Sequence, residues 1–553
     1  MSSEAKKVSL VATKVDKENF GKRSSEAISE RKSKELVIAF AGPIGCGINA
    51  VKEALAGILS SSGYTVHHIK LSDYLKESVL NGTVKITGDL AENGASRYIQ
   101  MQNVGNALRR EQPDILAEHS IQKIAEIRTA EHGTNIENVT DIVPGRTVYI
   151  IDQLKHPEEV TLLRVVYGNL FYLFGVLSIT PRRENRLKDE GVEPNMISDL
   201  IERDRKQIEK SGQQLDKALQ LADFFVRNDR NNAETLNAQL SRFVDLIHGV
   251  NGVTPTLEEY GMYMAYAAGL RSACLSRQVG ASIMNSDGAV IATGRNDVPK
   301  AGGGLYGPES GEDDARCVKL ESGFCHNDQH KIKLVDDIKN IIRSELEQHR
   351  ASLIATDKDN KFVLDKLDVK AISDSIAKVA YEDTRLGGLI EFSRSIHAEM
   401  DAIVSLALKG SGSTKGSSLF TYTFPCHNCA RHIVAAGIQT VYFLEPYEKS
   451  LALELHLDAI AIDGIGSIGE GVVGKSQKVK FVHFEGVSPR QYLNMFTPSG
   501  ERKNEVGKAI RLNISKADKK VPEYLDSYQA YELKVVEHFD GIKNQLQGKG
   551  LLS

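Results

Sequence analysis

The chain has 553 residues, of which 41% are hydrophobic, and this is enough for several domains with apolar cores. The formal net charge of −4 argues against a surface that coats nucleic acid, because such surfaces carry a marked basic excess. Six cysteines in so long a chain argue against a disulfide framework. No apolar run reaches membrane length, and residues 1–34 are rich in Lys, Ser and Glu without the apolar stretch of a signal peptide. We therefore expect a cytoplasmic protein that does not enter a membrane and that begins with a flexible tail over residues 1–34.

The first predicted element is a strand from Leu36 to Phe40, a continuous apolar run typical of a buried strand. A loop with the spacing G-x-x-x-x-G follows it, and a helical stretch follows the loop. The loop glycines are Gly42, Gly45 and Gly47. A glycine-rich loop that opens a helix is typical of phosphate binding, because bare backbone N–H groups and the helix N-terminus favour anions. Ile48 and Asn49 stand where the usual lysine and the magnesium-binding serine or threonine belong, so we expect nucleotide binding here without phosphoryl transfer.

Further strands are predicted at 64–71, 147–151 and 170–179, with helical patterns between them. This alternation is typical of a parallel α/β sheet. Asp152 follows the second of these strands, at the place where an acidic metal ligand of a nucleotide site would lie. An acidic residue in that position is also common in any α/β protein.

A cluster of arginines follows, and it resembles the lid of nucleotide kinases. Its members are Arg182, Arg183, Arg186, Arg203 and Arg205. A solvated basic helix face explains the same arginines equally well. Residues 221–228 resemble the last strand of these kinases, so residues 35–248 are interpreted as a degenerate P-loop, nucleotide-kinase-like domain that binds a nucleotide or an RNA regulator. Residues 249–255 are predicted to be a linker.

The second half of the chain opens with a predicted helix over 262–274 and a hairpin whose strands, 278–285 and 289–294, flank a turn at Asp287 and Gly288. The stretches RSACLSRQVGA, at 271–281, and ATGRNDVP, at 292–299, resemble the deoxycytidylate deaminase family, whose members carry R-S-T-C-x-R-x-x-V-G-A and A-T-G-Y-N-G-x-P. The resemblance covers residues 256–445. It implies a cytidine-deaminase-like α/β/α domain, placed here at 256–500, and a homo-oligomer.

The same resemblance assigns two further roles. It places substrate binding on Asn296, although Arg295 and Asp297 replace the Tyr and Gly that flank this Asn in the family. Family members often hold a structural zinc near the position of Cys274. The residues available for such a second metal are Cys274, Cys317, Cys325, His326 and His330, at a spacing that fits no standard zinc module.

Two segments near these residues are interpreted from their residue pattern, without the family resemblance. Lys300 and the glycines at 302–304 could cradle a phosphate, and a plain surface turn is an equally good interpretation. The charged segment 331–394 is predicted to be a mainly helical insertion that builds an oligomer contact or a lid.

The strongest motif is His397-Ala398-Glu399 followed by Pro425-Cys426-His427-Asn428-Cys429, the H-x-E…P-C-x-x-C pattern of zinc deaminases. A catalytic zinc takes three protein ligands and leaves one position to water, so His397, Cys426 and Cys429 are predicted to bind Zn²⁺. Glu399 is predicted to carry protons between that water and the base. Apolar residues at helical spacing after Ala398 place His397 and Glu399 at the start of a helix.

Together the two halves resemble bacterial antiphage deoxycytidine-nucleotide deaminases, which carry a P-loop domain in front of the deaminase. This resemblance implies conversion of dCTP and dCMP to dUTP and dUMP and depletion of the dCTP pool. Two other interpretations stay open: a deaminase that acts on RNA or single-stranded DNA, and a nucleotide sensor without catalysis. Residues 501–553 form a C-terminal extension with no assigned role.

Overall fold

The structure is a computed structural model that describes residues 31–536, except for 87, 133–141, 206, 208–211, 230–232, 357–365, 383, 411, 446–449, 463–477, 499, 506, 526–527, 529–531 and 533–534. The tail predicted over 1–34 therefore lies almost wholly outside the described residues. The chain divides into two compact units. The first contains the described residues up to Val253 and those from Leu493 onward, and the second contains Thr254–Tyr492.

The first unit is built on a parallel sheet. Its strands are β1 (Leu36–Ala41), β2 (Thr65–Lys70), β3 (Thr147–Asp152), β4 (Phe171–Leu177) and β5 (Phe224–Arg227). They lie side by side in the order β5-β4-β1-β3-β2. Every residue of β1 and β4 is buried, as expected for parallel strands that are covered by helices on both faces.

Helices connect these strands. They are α1 (Ile48–Ser61), α2 (Leu71–Leu80), α3 (Gly94–Glu111), α4 (Ile115–His132), α5 (Pro157–Tyr167), α6 (Thr180–Asp189), α7 (Pro194–Arg205), α8 (Leu215–Leu219) and α9 (Ala233–Ile247). A 3₁₀ turn covers Gly168–Leu170. The alternation of strands and helices agrees with the parallel α/β arrangement predicted for this half of the chain.

The C-terminal segment contributes to the core of the first unit. The guanidinium of Arg128, in α4, is fully buried and donates hydrogen bonds to both carboxylate oxygens of Glu35, at 3.0 and 2.9 Å, and to Glu532 at 3.0 Å. The hydroxyls of Tyr149 and Tyr528 also donate to Glu35, at 2.9 and 2.5 Å. Residues that were predicted to be an unassigned extension therefore pack in the N-terminal unit. One buried cation and two carboxylates account for that placement.

The second unit is built on a mixed sheet. Its strands are β6 (Gly280–Met284), β7 (Val290–Arg295), β8 (Ser418–Thr423), β9 (Thr440–Glu445), β10 (Ile460–Ile462) and β11 (Val479–His483). Their order is β10-β11-β9-β8-β6-β7, with β6 antiparallel to both β7 and β8 and the remaining pairs parallel. A two-residue strand, β12, covers Gly486–Val487.

The helices of this unit are α10 (Leu257–Gly269), α11 (His326–Thr356), α12 (Val369–Glu382), α13 (Ala398–Lys409), α14 (His427–Ala435) and α15 (Ala452–Leu455). Short 3₁₀ helices cover Pro308–Asp313, Cys317–Lys319, Arg385–Gly388 and Pro489–Gln491. A last short helix, α16 (Tyr492–Phe496), begins at the final residue of this unit, and its other residues are assigned to the first unit. The helical content predicted for the 331–394 insertion is confirmed in α11 and α12. No helix in the described ranges is long and apolar enough to cross a bilayer.

The helix predicted over 262–274 is placed too late in the chain, since α10 ends at Gly269. A side-chain carbon at Gly269 would lie 2.9 Å from the backbone nitrogen of Gly280, so the helix meets the start of β6 there. Ser272 then donates a hydrogen bond to the carbonyl of Asn296 at 2.5 Å. The chain after Gly269 therefore folds back onto the end of β7, and the apolar pattern of the sequence did not reveal this contact.

Candidate active site

The zinc-deaminase motif lies at the N-termini of two helices. His397 caps α13 and Cys426 caps α14, both with extended backbone angles, while Glu399 and Cys429 belong to the first turns. A side-chain carbon at Gly294, in β7, would lie 2.2 Å from the carbonyl oxygen of Ala398. Glycine at this strand position therefore lets α13 approach β7 closely enough to present its first turn to α14.

The four polar side chains of the motif meet in space. The Nδ1 atom of His397 lies 3.3 Å from the sulfur of Cys426 and 3.3 Å from the sulfur of Cys429. The sulfur of Cys429 lies 3.4 Å from the Oε2 atom of Glu399, whose side chain is 5% exposed. The arrangement predicted from the spacing of the motif is therefore present.

The protonation of these groups follows from their contacts. A hydrogen bond from the Cys429 thiol, with help from His397, lowers the pKa of Cys426 to about 4. The same hydrogen bond, together with burial, raises the pKa of Cys429 well above its ordinary value. The hydrogen bond to Cys426 raises the pKa of His397 to about 9. Burial raises the pKa of the Glu399 carboxyl.

The donor set fits a zinc ion. Among the described residues, one group of three or more His, Cys, Asp or Glu side chains has possible ligand atoms that all lie within 4.8 Å of one another. This group consists of His397, Cys426 and Cys429. One imidazole and two thiolates are ligands that zinc prefers, and three protein ligands are typical of a catalytic zinc. Helix N-termini favour thiolates over thiols, and a bound divalent cation would hold both cysteines in the thiolate form.

A cavity of about 330 Å³ opens beside these residues, with His397, Glu399 and Cys426 in its wall. Three basic side chains that the sequence analysis did not single out also line it, namely Arg277, Lys331 and Arg394. Arg277 forms an ion pair with the buried carboxylate of Glu445 at the end of β9. Their residue types gave no signal in the sequence, because lysine and arginine are frequent throughout the chain.

Asn296, predicted to bind substrate, lines the same cavity. Its side-chain oxygen accepts a hydrogen bond from the backbone of Val279 at 2.7 Å, and its amide nitrogen donates to the carbonyl of Arg277 at 2.7 Å. Both ends of the amide therefore hold the 277–279 segment against β7. Direct contact between Asn296 and a substrate stays a prediction.

Lys300, the other predicted substrate ligand, is exposed in a tight turn in which its backbone nitrogen bonds the carbonyl of Gly304 at 3.0 Å. It is not among the residues that line the cavity. The geometry favours a surface turn over a phosphate cradle at this point.

The candidate second metal ligands are only partly gathered. The sulfur of Cys317 lies 3.6 Å from Nδ1 of His326, whereas the sulfur of Cys274 contacts the hydroxyl of Ser395 at 3.6 Å. The ring of His330 stacks on Phe392 with 5.4 Å between the ring centroids. Cys325 lines the cavity without joining a three-ligand group in the described residues. A second zinc stays a prediction.

The glycine-rich loop of the N-terminal unit lies between β1 and α1, as predicted. Gly45 and Gly47 have positive φ angles of 74° and 77°, which explains why glycine occupies these positions. At Gly42 a side-chain carbon would lie 2.7 Å from the carbonyl oxygen of Val176, on β4. The loop is therefore closely packed against the neighbouring strand.

Side chains from elsewhere in the unit bond this loop. The backbone nitrogen of Ile44 donates to the carboxylate of Asp204 at 2.9 Å, and Asp204 also pairs with Lys155 at 2.8 Å. Arg183 donates to the carbonyl of Ile44 at 2.9 Å, and Arg186 donates to the carbonyl of Gly45 at 3.0 Å. Two members of the arginine cluster therefore bind backbone carbonyls, and phosphate binding by the loop stays a prediction.

The other members of the arginine cluster lie apart from the loop. Arg203 donates to the side chain of Asn103, Arg205 lies 3.9 Å from Glu202, and Arg182 is exposed. Asp152, at the end of β3, pairs with Lys52 at 2.6 Å.

Comparisons with known proteins locate the similarity in the second unit. Residues 255–445 match the family described as the cytidine and deoxycytidylate deaminase zinc-binding region, in agreement with the resemblance noted over 256–445. The chain is 25% identical over 192 residues to the deoxycytidylate deaminase of Enterobacteria phage T2, a match that covers 34% of this chain and 80% of the phage protein. The corresponding protein of Enterobacteria phage T4 is 26% identical over 191 residues, with 34% and 78% covered. Among solved structures, the apo form of the dCMP deaminase from cyanophage S-TIM5 aligns with 17% identity and a TM-score of 0.21, covering 42% of this chain and 99% of that one.

Proposed function

We propose that this chain, a hydrolytic deaminase by its family match, uses zinc to deaminate deoxycytidine nucleotides and so converts dCTP, dCMP or both to the corresponding uracil nucleotides and ammonia. The observation that carries the proposal is the buried carboxylate of Glu399, 3.4 Å from Cys429 and next to a complete set of three zinc ligands. A structural Cys-x-x-Cys site would have no use for a buried acid in that place, because an unpaired carboxylate is costly to bury.

The chemistry requires a proton carrier beside the metal. Zinc held by His397, Cys426 and Cys429 would acidify a water molecule near neutral pH. Glu399 would take a proton from the attacking water and deliver it to ring N3 of cytosine as the water oxygen bonds to C4. Glu399 then moves the second proton to the amino group, the bond from C4 to that nitrogen breaks, and ammonia leaves. The sum is cytosine plus water giving uracil plus ammonia.

The charge around the cavity supports a phosphorylated substrate. Arg277, Lys331 and Arg394 line the same 330 Å³ space as Glu399. Arg277 is paired with Glu445 and Lys331 with Asp328, so Arg394 is the side chain best suited to a nucleotide phosphate. A volume of this size is at the lower end of the range that holds small molecules, roughly 300–1,000 Å³. The overall charge of −4 does not favour long polyanions such as RNA or DNA. Free nucleotides are therefore the preferred substrate class.

The proposal also covers the biological role, the assembly, the regulation and the location of the protein. Depletion of the dCTP pool in antiphage defence, a homo-oligomer, and control of the deaminase by a nucleotide or RNA regulator at the N-terminal unit are supported by the resemblance of the two-part chain to antiphage deaminases. The glycine-rich loop at the end of β1, in a parallel sheet, adds support for a P-loop type of N-terminal unit. Thiolate ligands need a reducing compartment, and this supports a cytoplasmic location.

The experiment is a substrate panel with product identification by mass spectrometry. The full chain is incubated with dC, dCMP, dCTP, CTP and cytosine-containing oligonucleotides, and Glu399→Gln is run in parallel. We expect uracil nucleotides and ammonia from dCMP or dCTP, and no product with Glu399→Gln. Deamination confined to oligonucleotides would instead support a polynucleotide deaminase. Absence of ammonia from every substrate would support a sensor without catalysis, and either result overturns the proposal.

A further inference from the structure

Asp297 is a buried acid in the deaminase unit that no step of the proposed reaction uses. It lies two residues beyond the end of β7, is 1% exposed, and lines the 330 Å³ cavity beside Glu399. A buried carboxylate is costly unless hydrogen bonds and nearby charges compensate it. The groups that contact Asp297 therefore indicate what it does.

The carboxylate of Asp297 accepts two backbone hydrogen bonds. Its Oδ2 atom accepts from the nitrogen of Ala273 at 3.1 Å, and its Oδ1 atom accepts from the nitrogen of Val298 at 2.9 Å. Ala273 belongs to the chain that folds back after α10, and it lines the cavity. The carboxylate therefore fixes one wall of the cavity, the turn at 272–274, to the end of β7.

Two arginines lie near the same carboxylate, beyond hydrogen-bond distance. The Nε atom of Arg295 and the Nη1 atom of Arg316 are each 3.9 Å from Oδ2 of Asp297. Arg295 donates instead to the carbonyl of Tyr306 at 2.9 Å, and Arg316 donates to the carboxylate of Asp314 at 2.9 and 2.6 Å. The two cations therefore compensate the buried charge, while the oxygens of Asp297 bind backbone nitrogens.

A second wall of the cavity is joined to the backbone of Asp297. The carbonyl of Asp297 accepts from the nitrogen of Ile396 at 3.0 Å, in an antiparallel bridge. The hydroxyl of Ser395 donates to the sulfur of Cys274 at 3.6 Å, in the turn at 272–274. The segment just before His397 is therefore held at two points, one on Asp297 and one on the turn that Asp297 fixes.

Arg394 belongs to this anchored segment and lies in a tight turn. The hydroxyl of Ser393 accepts from the nitrogen of Ser395 at 3.2 Å, so the chain turns sharply around Arg394. Arg394 lines the cavity, and among the described residues no carboxylate pairs with it, unlike Arg277 and Lys331. Its guanidinium can therefore bind a phosphate without breaking an ion pair.

We infer, on the basis of the proposed function, that Asp297 is a positioning residue for substrate binding. By holding the turn at 272–274 and the segment 393–396 together, it places Arg394 for the phosphate of the nucleotide. Glycine, which stands at this position in the related family, has no side chain to hold the turn. Because Asp297 bonds the protein backbone and not the reacting atoms, its loss weakens nucleotide binding and leaves the chemical step to Glu399.

The test measures kcat and KM of the full chain for the deoxycytidine nucleotide that it turns over, and for deoxycytidine, which lacks the phosphate. Asp297→Asn keeps the size of the side chain but loses one of its two acceptors. It should raise KM for the nucleotide by about 10-fold, with kcat, and kcat/KM for deoxycytidine, within about 2-fold of wild type. An unchanged KM, or an equal loss with deoxycytidine, would overturn the inference. Absence of turnover in the wild type would instead overturn the proposed function, and the inference with it.

A double-mutant cycle shows whether Asp297 acts through Arg394. Arg394→Met should raise the same KM by about 10-fold or more, and adding Asp297→Asn should raise it by no more than about 2-fold further. Losses that multiply in the double variant would contradict the route through Arg394. If Asp297→Asn does not fold, Asp297→Gly, the residue typical of the family, takes its place in the cycle.

A matched control separates this role from a general effect of buried acids. Asp401 is also a buried acid, and it accepts from the backbone nitrogen of Arg295 at 2.9 Å, but it does not line the cavity. Asp401→Asn should therefore keep the wild-type KM for the nucleotide. A rise in KM equal to that of Asp297→Asn would overturn the inference.

Discussion

Two of the junctions at which a strand leads into the N-terminus of a helix, one in each unit, differ in the side chains that surround them. In the deaminase unit β8 leads through Pro425 into α14, and the first turn of α13 brings His397 and Glu399 beside it. In the N-terminal unit β1 leads through the glycine-rich loop into α1. The side chains that contact this loop are Asp204, Arg183 and Arg186.

The two junctions differ in what the side chains around the helix N-terminus contact. At α14 they lie close to one another and beside a cavity, where the proposed metal ligands and the proposed proton carrier would be accessible to a substrate. At α1 they bond the backbone of the loop itself, so its Ile44 nitrogen is not free for a phosphate. The same local backbone pattern therefore borders the proposed reaction centre in one unit, whereas in the other unit part of its loop backbone is already bonded to side chains of the protein.

The largest expected effect comes from removing the proton carrier at the open junction. Glu399→Gln keeps the shape of the side chain but cannot accept a proton, so turnover should fall by about 10²–10⁴-fold. Turnover of dCMP and dCTP, followed by ammonia release, is the measurement. Glu345→Gln, an exposed carboxyl on α11, should retain full turnover. Wild-type rates in Glu399→Gln would contradict the role of Glu399 as the proton carrier, and the proposed chemical difference between the two junctions would then have no support.

The next largest effect concerns the stability of the N-terminal unit. Arg128→Met leaves Glu35 and Glu532 buried without a cation, which should lower the free energy of unfolding of the N-terminal unit by about 3–5 kcal/mol. Chemical denaturation of the full chain, with a probe in that unit, measures the change. The exposed Arg182→Met is the control and should shift the unfolding midpoint very little. A small effect of Arg128→Met would show that the C-terminal segment does not contribute to this core.

The acid stability of the N-terminal unit depends on His248. Burial lowers the pKa of His248 to about 4, with Arg146 and Lys519 nearby, so the folded protein keeps the ring neutral where the unfolded chain takes up a proton. The unfolded state therefore binds more protons between pH 6.5 and 4, and stability falls as the pH drops through this range, by roughly 3 kcal/mol in total from this group. Denaturation curves at several pH values should show a shallower decline for His248→Gln. An unchanged decline would contradict the assignment.

The smallest expected effect concerns the contribution of Asp204 to the stability of the glycine-rich loop. Asp204→Asn keeps an acceptor for the Ile44 nitrogen but removes the charge that pairs with Lys155, and it should cost about 1–3 kcal/mol of unfolding free energy. The same denaturation assay measures it, with Asp199→Asn on α7 as the control. If Asp204→Asn proved neutral or stabilising, the carboxylate would not be part of the structure of the loop.

The metal set was accessible from the sequence for a physical reason. The three predicted ligands and Glu399 lie in two short segments whose internal spacing is set by the first turns of two helices, so the sequence motif contains most of the geometry. The glycine-rich loop was also located correctly, because positive φ angles demand glycine at Gly45 and Gly47.

What the sequence did not reveal depends on distant contacts. Asp204 reaches Ile44 across 160 positions and Glu532 reaches Arg128 across 404, and each is one acid among many in the chain. The basic residues around the deaminase cavity belong to the same class. Their roles depend on where folding places them and not on any local pattern.

The central claim, that His397, Cys426 and Cys429 hold the zinc ion of a deaminase, is tested most directly by elemental analysis of the purified full chain beside Cys429→Ser. We predict that the zinc content per chain falls by about one atom in the variant. Zinc content that does not change on substitution, or active wild-type protein without zinc, would contradict the claim.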